Sequence, residues 1–134
     1  MILLDTSVVS AVLRRRKRGK PEEAVAARVA ALLQGDRQVA IPGIVLQELL
    51  SGIAERAQYV RVLAAVRESF PVVLATEGDH LMGADLVTLA ARTGLAISTP
   101  DALIAAQAVN RRAGLFTTDG DFGKLSELAG LKVI

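Results

Sequence analysis

Met1-Ile2-Leu3-Leu4-Asp5-Thr6-Ser7 is an apolar run that stops on a carboxylate, and its reading decides the fold. In an open parallel sheet covered on both faces, a strand reads as a continuous apolar run and not as an alternation. Ligands of such sheets gather at the carboxyl ends of the strands. The run therefore reads as a central strand, with Asp5 at the mouth of a crevice. The question for the other residues is whether further acids reach the same place.

Downstream, strand and helix signals alternate. Thr6 or Ser7 is expected to cap a first helix with Val8, Val9, Val12 and Leu13 on its apolar side, ending in a basic run. Pro21 opens an Ala-rich helix to about Leu33, with Gly35 beyond its end. Gln38 to Ile41 reads as a second strand stopped by Pro42, followed by a helix from Gly43 to about Arg56 and another from about Gln58 to Ser69. Val72 to Leu74 is a third strand. Thr76 and Asp79 have the spacing of a capping box, opening a helix that stops at Gly94. Thr99-Pro100-Asp101 starts another, with Thr99 as its expected cap. Leu115 to Thr118 is a fourth strand, which also ends on acids, and a short helix and a strand over Leu131 to Ile134 follow. Short links between alternating elements imply an α/β fold, with a central parallel sheet of four to five strands between two layers of helices.

At 134 residues the chain is expected to form a single domain with a real core. It has no Cys, which excludes disulfides, thiol chemistry and thiolate-held zinc. Its one His, His80, leaves no basis for His-based triads or zinc sites. No apolar run approaches the roughly 18 residues of a membrane span, and no secretory signal is expected, so the expected location is the cytoplasm. The net charge is only +2, yet Arg14, Arg15, Arg16, Lys17, Arg18 and Lys20 are packed together. A near-neutral protein can still carry a strongly basic patch.

In this layout Asp5 and Asp119 follow strands, Asp101 sits in the first turn of a helix, and Glu48 lies one turn into another. All four can face one crevice, with Asp121 near enough to be a fifth. Carboxylates that close repel and raise one another's pKa values, so a cation is expected among them. Mg²⁺ or Mn²⁺ suits an all-oxygen site and leaves positions open for water and phosphate. The corresponding chemistry is hydrolysis of a phosphodiester by a metal-activated water. Each acid also admits an ordinary role. Asp101 complements a helix dipole, Asp121 is equally a helix cap, and Asp5 and Asp119 are plausible turn formers.

Four segments taken together resemble a known family. Leu4-Asp5-Thr6-Ser7, Gln47-Glu48-Leu49-Leu50-Ser51-Gly52, Thr99-Pro100-Asp101-Ala102-Leu103-Ile104-Ala105-Ala106 and Thr117-Thr118-Asp119-Gly120-Asp121-Phe122 are similar, in this order, to the motifs of PIN domains. The VapC-like toxin ribonucleases are the branch most resembled, and the likeness spans essentially the whole chain. It implies a three-layer PIN-like α/β/α sandwich and a Mg²⁺- or Mn²⁺-dependent endoribonuclease. Asp5, Glu48, Asp101 and Asp119 would be its catalytic and metal-binding acids and Asp121 an accessory one. Thr6 and Thr117 match hydroxyl positions that orient the first and fourth carboxylates. The resemblance also implies a homodimer, an RNA substrate, and a cognate antitoxin that forms a hetero-oligomer with the toxin and places a basic side chain among the acids.

The run from Arg14 to Lys20 is longer and more basic than the family pattern. It reads as a solvated helix end, as a track for RNA phosphates through Arg14, Arg15, Arg16, Lys17 and Arg18, or as an antitoxin contact. Two other readings of the chain stay open: a non-catalytic PIN-like binding module, and a Mg²⁺-binding receiver-type phospho-acceptor domain. The second is disfavoured because Asp5 stands alone after the first strand. Gly120-Asp121-Phe122-Gly123-Lys124-Leu125 fails as a P-loop, since its glycines are too close together and no Ser or Thr follows the Lys.

Overall fold

Ile2, Leu3 and Leu4 are fully buried, as a strand covered on both faces must be, and they form β1 (Ile2–Leu4). The computed structural model describes residues 1–14 and 19–134. Among the described residues the order continues with α1 (Thr6–Leu13), α2 (Lys20–Gln34), β2 (Val39–Pro42), α3 (Gly43–Leu50), α4 (Arg56–Ser69) and β3 (Val72–Val73). After these come α5 (Glu77–Arg92), α6 (Thr99–Asn110), β4 (Gly114–Phe116), α7 (Gly120–Ala129) and β5 (Lys132–Val133).

Every strand pairing is parallel, and the sheet order is β3-β2-β1-β4-β5. β1 is central, with Leu3 opposite Ala40 on one side and Leu115 on the other. The chain winds outward from β1 to β3, then returns across the sheet to β4. Right-handed crossovers on opposite sides of that reversal place the helices on opposite faces, which gives the three layers expected. The reversal lies between β1 and β4, and the carboxyl ends of that strand pair are where such a sheet opens a crevice. No helix of the described residues is long and apolar enough to cross a membrane.

The structure corrects the expected helix ends. α3 stops at Leu50, short of Arg56, and α4 begins at Arg56. The break is made at Gly52, whose φ of 84° lies in the left-handed region that a residue with a Cβ avoids. Because the apolar pattern runs on through Ile53, the helix looks longer in sequence than it is. β4 ends at Phe116, which frees Thr117 and Thr118 to turn toward β1.

Arg112 is the one described non-glycine residue with positive φ, at 51°, directly after the C-cap of α6. Its side chain is exposed, so glycine would relieve the strain without loss of packing. Arg112→Gly is expected to stabilise the protein by about 0.5–1 kcal/mol in urea unfolding. A loss of stability would show that the Arg112 side chain makes contacts worth more than the strain.

Candidate active site

Asp5 follows β1 and is 4% exposed. It, and neither Thr6 nor Ser7, is the N-cap of α1: its Oδ1 accepts the Val8 N–H at 3.2 Å. The same oxygen accepts the Ser7 hydroxyl at 2.7 Å. Its Oδ2 accepts the Thr117 hydroxyl, which reaches across from the end of β4 at 2.6 Å. Three donors from both sides of the sheet reversal therefore fix one carboxylate. Since Asp5 is pinned by its own helix start, the strand end and the cap are one device.

Glu48 is half-buried in α3, where Gln47 is the other polar side chain. Its Oε1 accepts the Thr6 hydroxyl at 2.7 Å, so α1 holds α3's acid at the same edge. Asp119 follows β4. Its N–H donates to Thr117 Oγ1 at 2.9 Å, and its carboxylate accepts the Asp121 N–H at 3.0 Å. Asp119 is thus the N-cap of α7, and Asp121, which had an even claim to that role, sits in the first turn instead. The Thr6 and Thr117 hydroxyls each donate to a carboxylate, of Glu48 and of Asp5, while Thr117 only receives the backbone of Asp119.

Asp101 stands in the first turn of α6, where its N–H donates to Ser98 Oγ at 3.2 Å. Ser98 is the cap of this helix, and Thr99 is already inside it. Burial pushes the Asp101 carboxyl above the usual carboxylate range, and the charges of Asp119, Glu48 and Asp5 push it further, against a hydrogen bond with Ser98. Asp101 on α6 therefore lies within electrostatic reach of the other three acids. The two ion pairs among the described residues, Arg14–Glu22 and Arg111–Asp79, include none of the four.

Ser7 and Thr118 are additions that sequence reasoning missed. Thr118 Oγ1 donates to Ser7 Oγ at 2.9 Å, which extends the hydroxyl chain holding Asp5. Both residues lie inside the motifs already quoted, but only the fold shows that positions 7 and 118 meet. Of the basic run, Arg14 caps the end of α1 and pairs with Glu22 at 3.7 Å. Arg15, Arg16, Lys17 and Arg18 lie outside the described residues.

A carboxylate donor set that enters neither ion pair found among the described residues has the chemistry of a hard divalent cation site. No three acidic or imidazole side chains among the described residues close a ready-made cage.

Comparison with known proteins gives the family and the fold. The PIN domain family profile matches residues 2–128. Comparison with curated proteins gives no significant match. Among solved structures the chain is similar to VapBC2 from Rickettsia felis, bound to a DNA fragment from its promoter, at 24% identity and TM-score 0.78, covering 100% of this chain and 98% of that one. It is similar to VapBC-5 of Mycobacterium tuberculosis, a member of the VapBC family of toxin–antitoxin systems, at 27% identity and TM-score 0.68, covering 98% and 95%. It is also similar to VapC20 of the same organism, described as a sarcin–ricin-loop-cleaving toxin, at 22% identity and TM-score 0.70, covering 92% and 94%.

Proposed function

This chain belongs to the PIN domain family, and from that premise we propose that it is a metal-dependent endoribonuclease, the toxin of a toxin–antitoxin pair. One observation carries the reading: the Thr117 and Thr6 hydroxyls hold Asp5 and Glu48 at one sheet edge, within electrostatic reach of Asp101 on α6. The likeness to a toxin described as cleaving the sarcin–ricin loop supports RNA as substrate. The likeness to a toxin–antitoxin family member supports a cognate antitoxin, which would place a basic side chain among the acids. A homodimer is part of the same proposal.

Asp5, Glu48, Asp101 and Asp119 would hold Mg²⁺ or Mn²⁺, with Asp121 accessory. The ion would supply positive charge to the phosphate and lower the pKa of an attacking water. The protein's own contribution is positional. Thr117, Ser7 and the Val8 N–H fix Asp5, and Thr6 fixes Glu48, so the carboxylates are oriented before substrate arrives.

The test is cleavage of a structured RNA with Mg²⁺, with Mn²⁺ and with EDTA. Internal cuts are expected with either metal and none with EDTA. Intact RNA under all three conditions would leave a binding module, and cutting that survives EDTA would remove the metal from the reading.

A further inference from the structure

The chain has one Tyr, three Phe and no Trp, and Phe70, Phe116 and Phe122 are all buried. Tyr59 is therefore the one aromatic ring, among the described residues, that reaches the surface. It lies in the first turn of α4 and faces α3 across an open cleft of about 360 Å³, lined also by Gly43, Leu46, Gln47, Leu50 and Ser51. The Arg56 guanidinium sits over the Tyr59 ring, 4.7 Å from its centroid. α4 carries Arg56, Arg61 and Arg67 against a single acid, Glu68.

A protein that recognises single-stranded RNA stacks unpaired bases on aromatic rings or guanidinium planes and reads their edges with polar groups. This cleft offers each of these in a small space. It has a ring braced by a cation, an apolar floor from Leu46 and Leu50, and an exposed Gln47 amide. Ser51, whose hydroxyl donates to the Gln47 carbonyl at 2.7 Å, closes the end. α3 contributes to both places: Gln47 lines the cleft, and Glu48, held by Thr6, is one of the acids. Arg56, over the ring, supplies positive charge for a polyanion that the acidic crevice alone would repel.

We propose that this cleft is a base-binding subsite: it stacks an unpaired nucleobase of the RNA on Tyr59 while a neighbouring phosphate lies among the acids. The proposal rests on the ribonuclease reading above. It makes the enzyme selective for RNA in which a base close to the cut is free to leave its stack.

With no Trp and a single Tyr, the intrinsic fluorescence of the protein reports on Tyr59. The experiment titrates Asp101→Asn protein in Mg²⁺ with a labelled single-stranded oligoribonucleotide, following label anisotropy and tyrosine emission together. Emission is expected to fall in step with the rise in anisotropy, and blunt duplex RNA should leave it unchanged. Adding Tyr59→Phe to that protein should keep affinity within about twofold, and Tyr59→Ala should lower it about tenfold. In the protein with Asp101 intact, Tyr59→Ala should act through KM and leave kcat nearly unchanged. Should Tyr59→Ala fail to fold, Arg56→Ala removes the cation above the ring from an exposed position and should weaken binding severalfold. RNA that binds without altering tyrosine emission would overturn the subsite and leave the cleft to a protein segment, with the ribonuclease reading intact. RNA that does not bind at all would overturn both.

Discussion

Replacing Asp101 by Asn is expected to lower metal-dependent RNA cleavage by about a hundredfold or more, while the metal-free protein melts a few degrees higher. The opposite signs have one cause. Asp101 is disfavoured in its charged form by burial and by Asp119, Glu48 and Asp5, so its ionisation costs folded-state stability that Asn does not incur. A raised carboxyl pKa means that the folded chain holds the proton more tightly than the unfolded chain does. The cost is therefore present above the folded pKa and disappears as pH falls through it. The melting difference between wild type and variant should shrink correspondingly in acid. With Mg²⁺ added the order reverses, since the ion stabilises the state that binds it and the variant has lost one carboxylate. Equal shifts in wild type and Asp101→Asn on adding Mg²⁺ would remove Asp101 from the metal site. An unchanged metal-free melting temperature would mean that the four acids do not share a crevice.

What could be read in the sequence followed local chemistry. The apolar run from Ile2 to Leu4, the Thr76–Asp79 capping box with both of its hydrogen bonds, and the alternation of elements all depend on neighbours within a few residues. They appear in the structure much as expected. The acids at strand ends and helix starts could be proposed for the same reason, because a parallel sheet directs those positions to one edge. Helix ends were less legible. Ser98, Thr99, Asp5, Thr6 and Ser7 are all competent caps, and a one-residue shift among them changes no apolar pattern. Pairings across the fold were not legible at all. Nothing near Thr6 in sequence points to Glu48, which is 42 residues away, and nothing near Thr117 points to Asp5, which is 112 away. The same distance hid the partner of Asp79, which looked like a simple cap.

That partner makes Arg111→Ala the most destabilising exposed-side substitution expected here, at about 3 kcal/mol. Asp79 is 1% exposed, while Arg111 keeps 22% of its side chain in solvent. The guanidinium donates to Asp79 Oδ1 at 3.1 Å and Oδ2 at 3.0 Å, to the Gln107 carbonyl at 3.1 Å and to the Leu74 carbonyl at 3.3 Å. Asn110 adds a bond to Asp79 at 2.9 Å. Burial alone would raise the Asp79 pKa, but Arg111, the Thr76 N–H and Asn110 outweigh it and hold the carboxyl at about 2, below its ordinary 3.8. The group therefore contributes stability, about 2 kcal/mol, above its unfolded pKa, and that contribution is lost as pH falls from about 4 toward 2.

Removing the arginine strands a buried charge, whereas removing the aspartate strands one that solvent can still reach. Asp79→Asn should accordingly cost less than Arg111→Ala, and Arg111→Ala should unfold at higher pH on acidification than wild type. A cost for Arg111→Ala below about 1 kcal/mol, the range of surface pairs, would count against this account, as would the reverse order of the two variants. The network clamps the end of β3 and the start of α5 to the last turn of α6, and Asp101 sits in that helix's first turn. Loss of Arg111 should therefore also loosen the helix that presents Asp101.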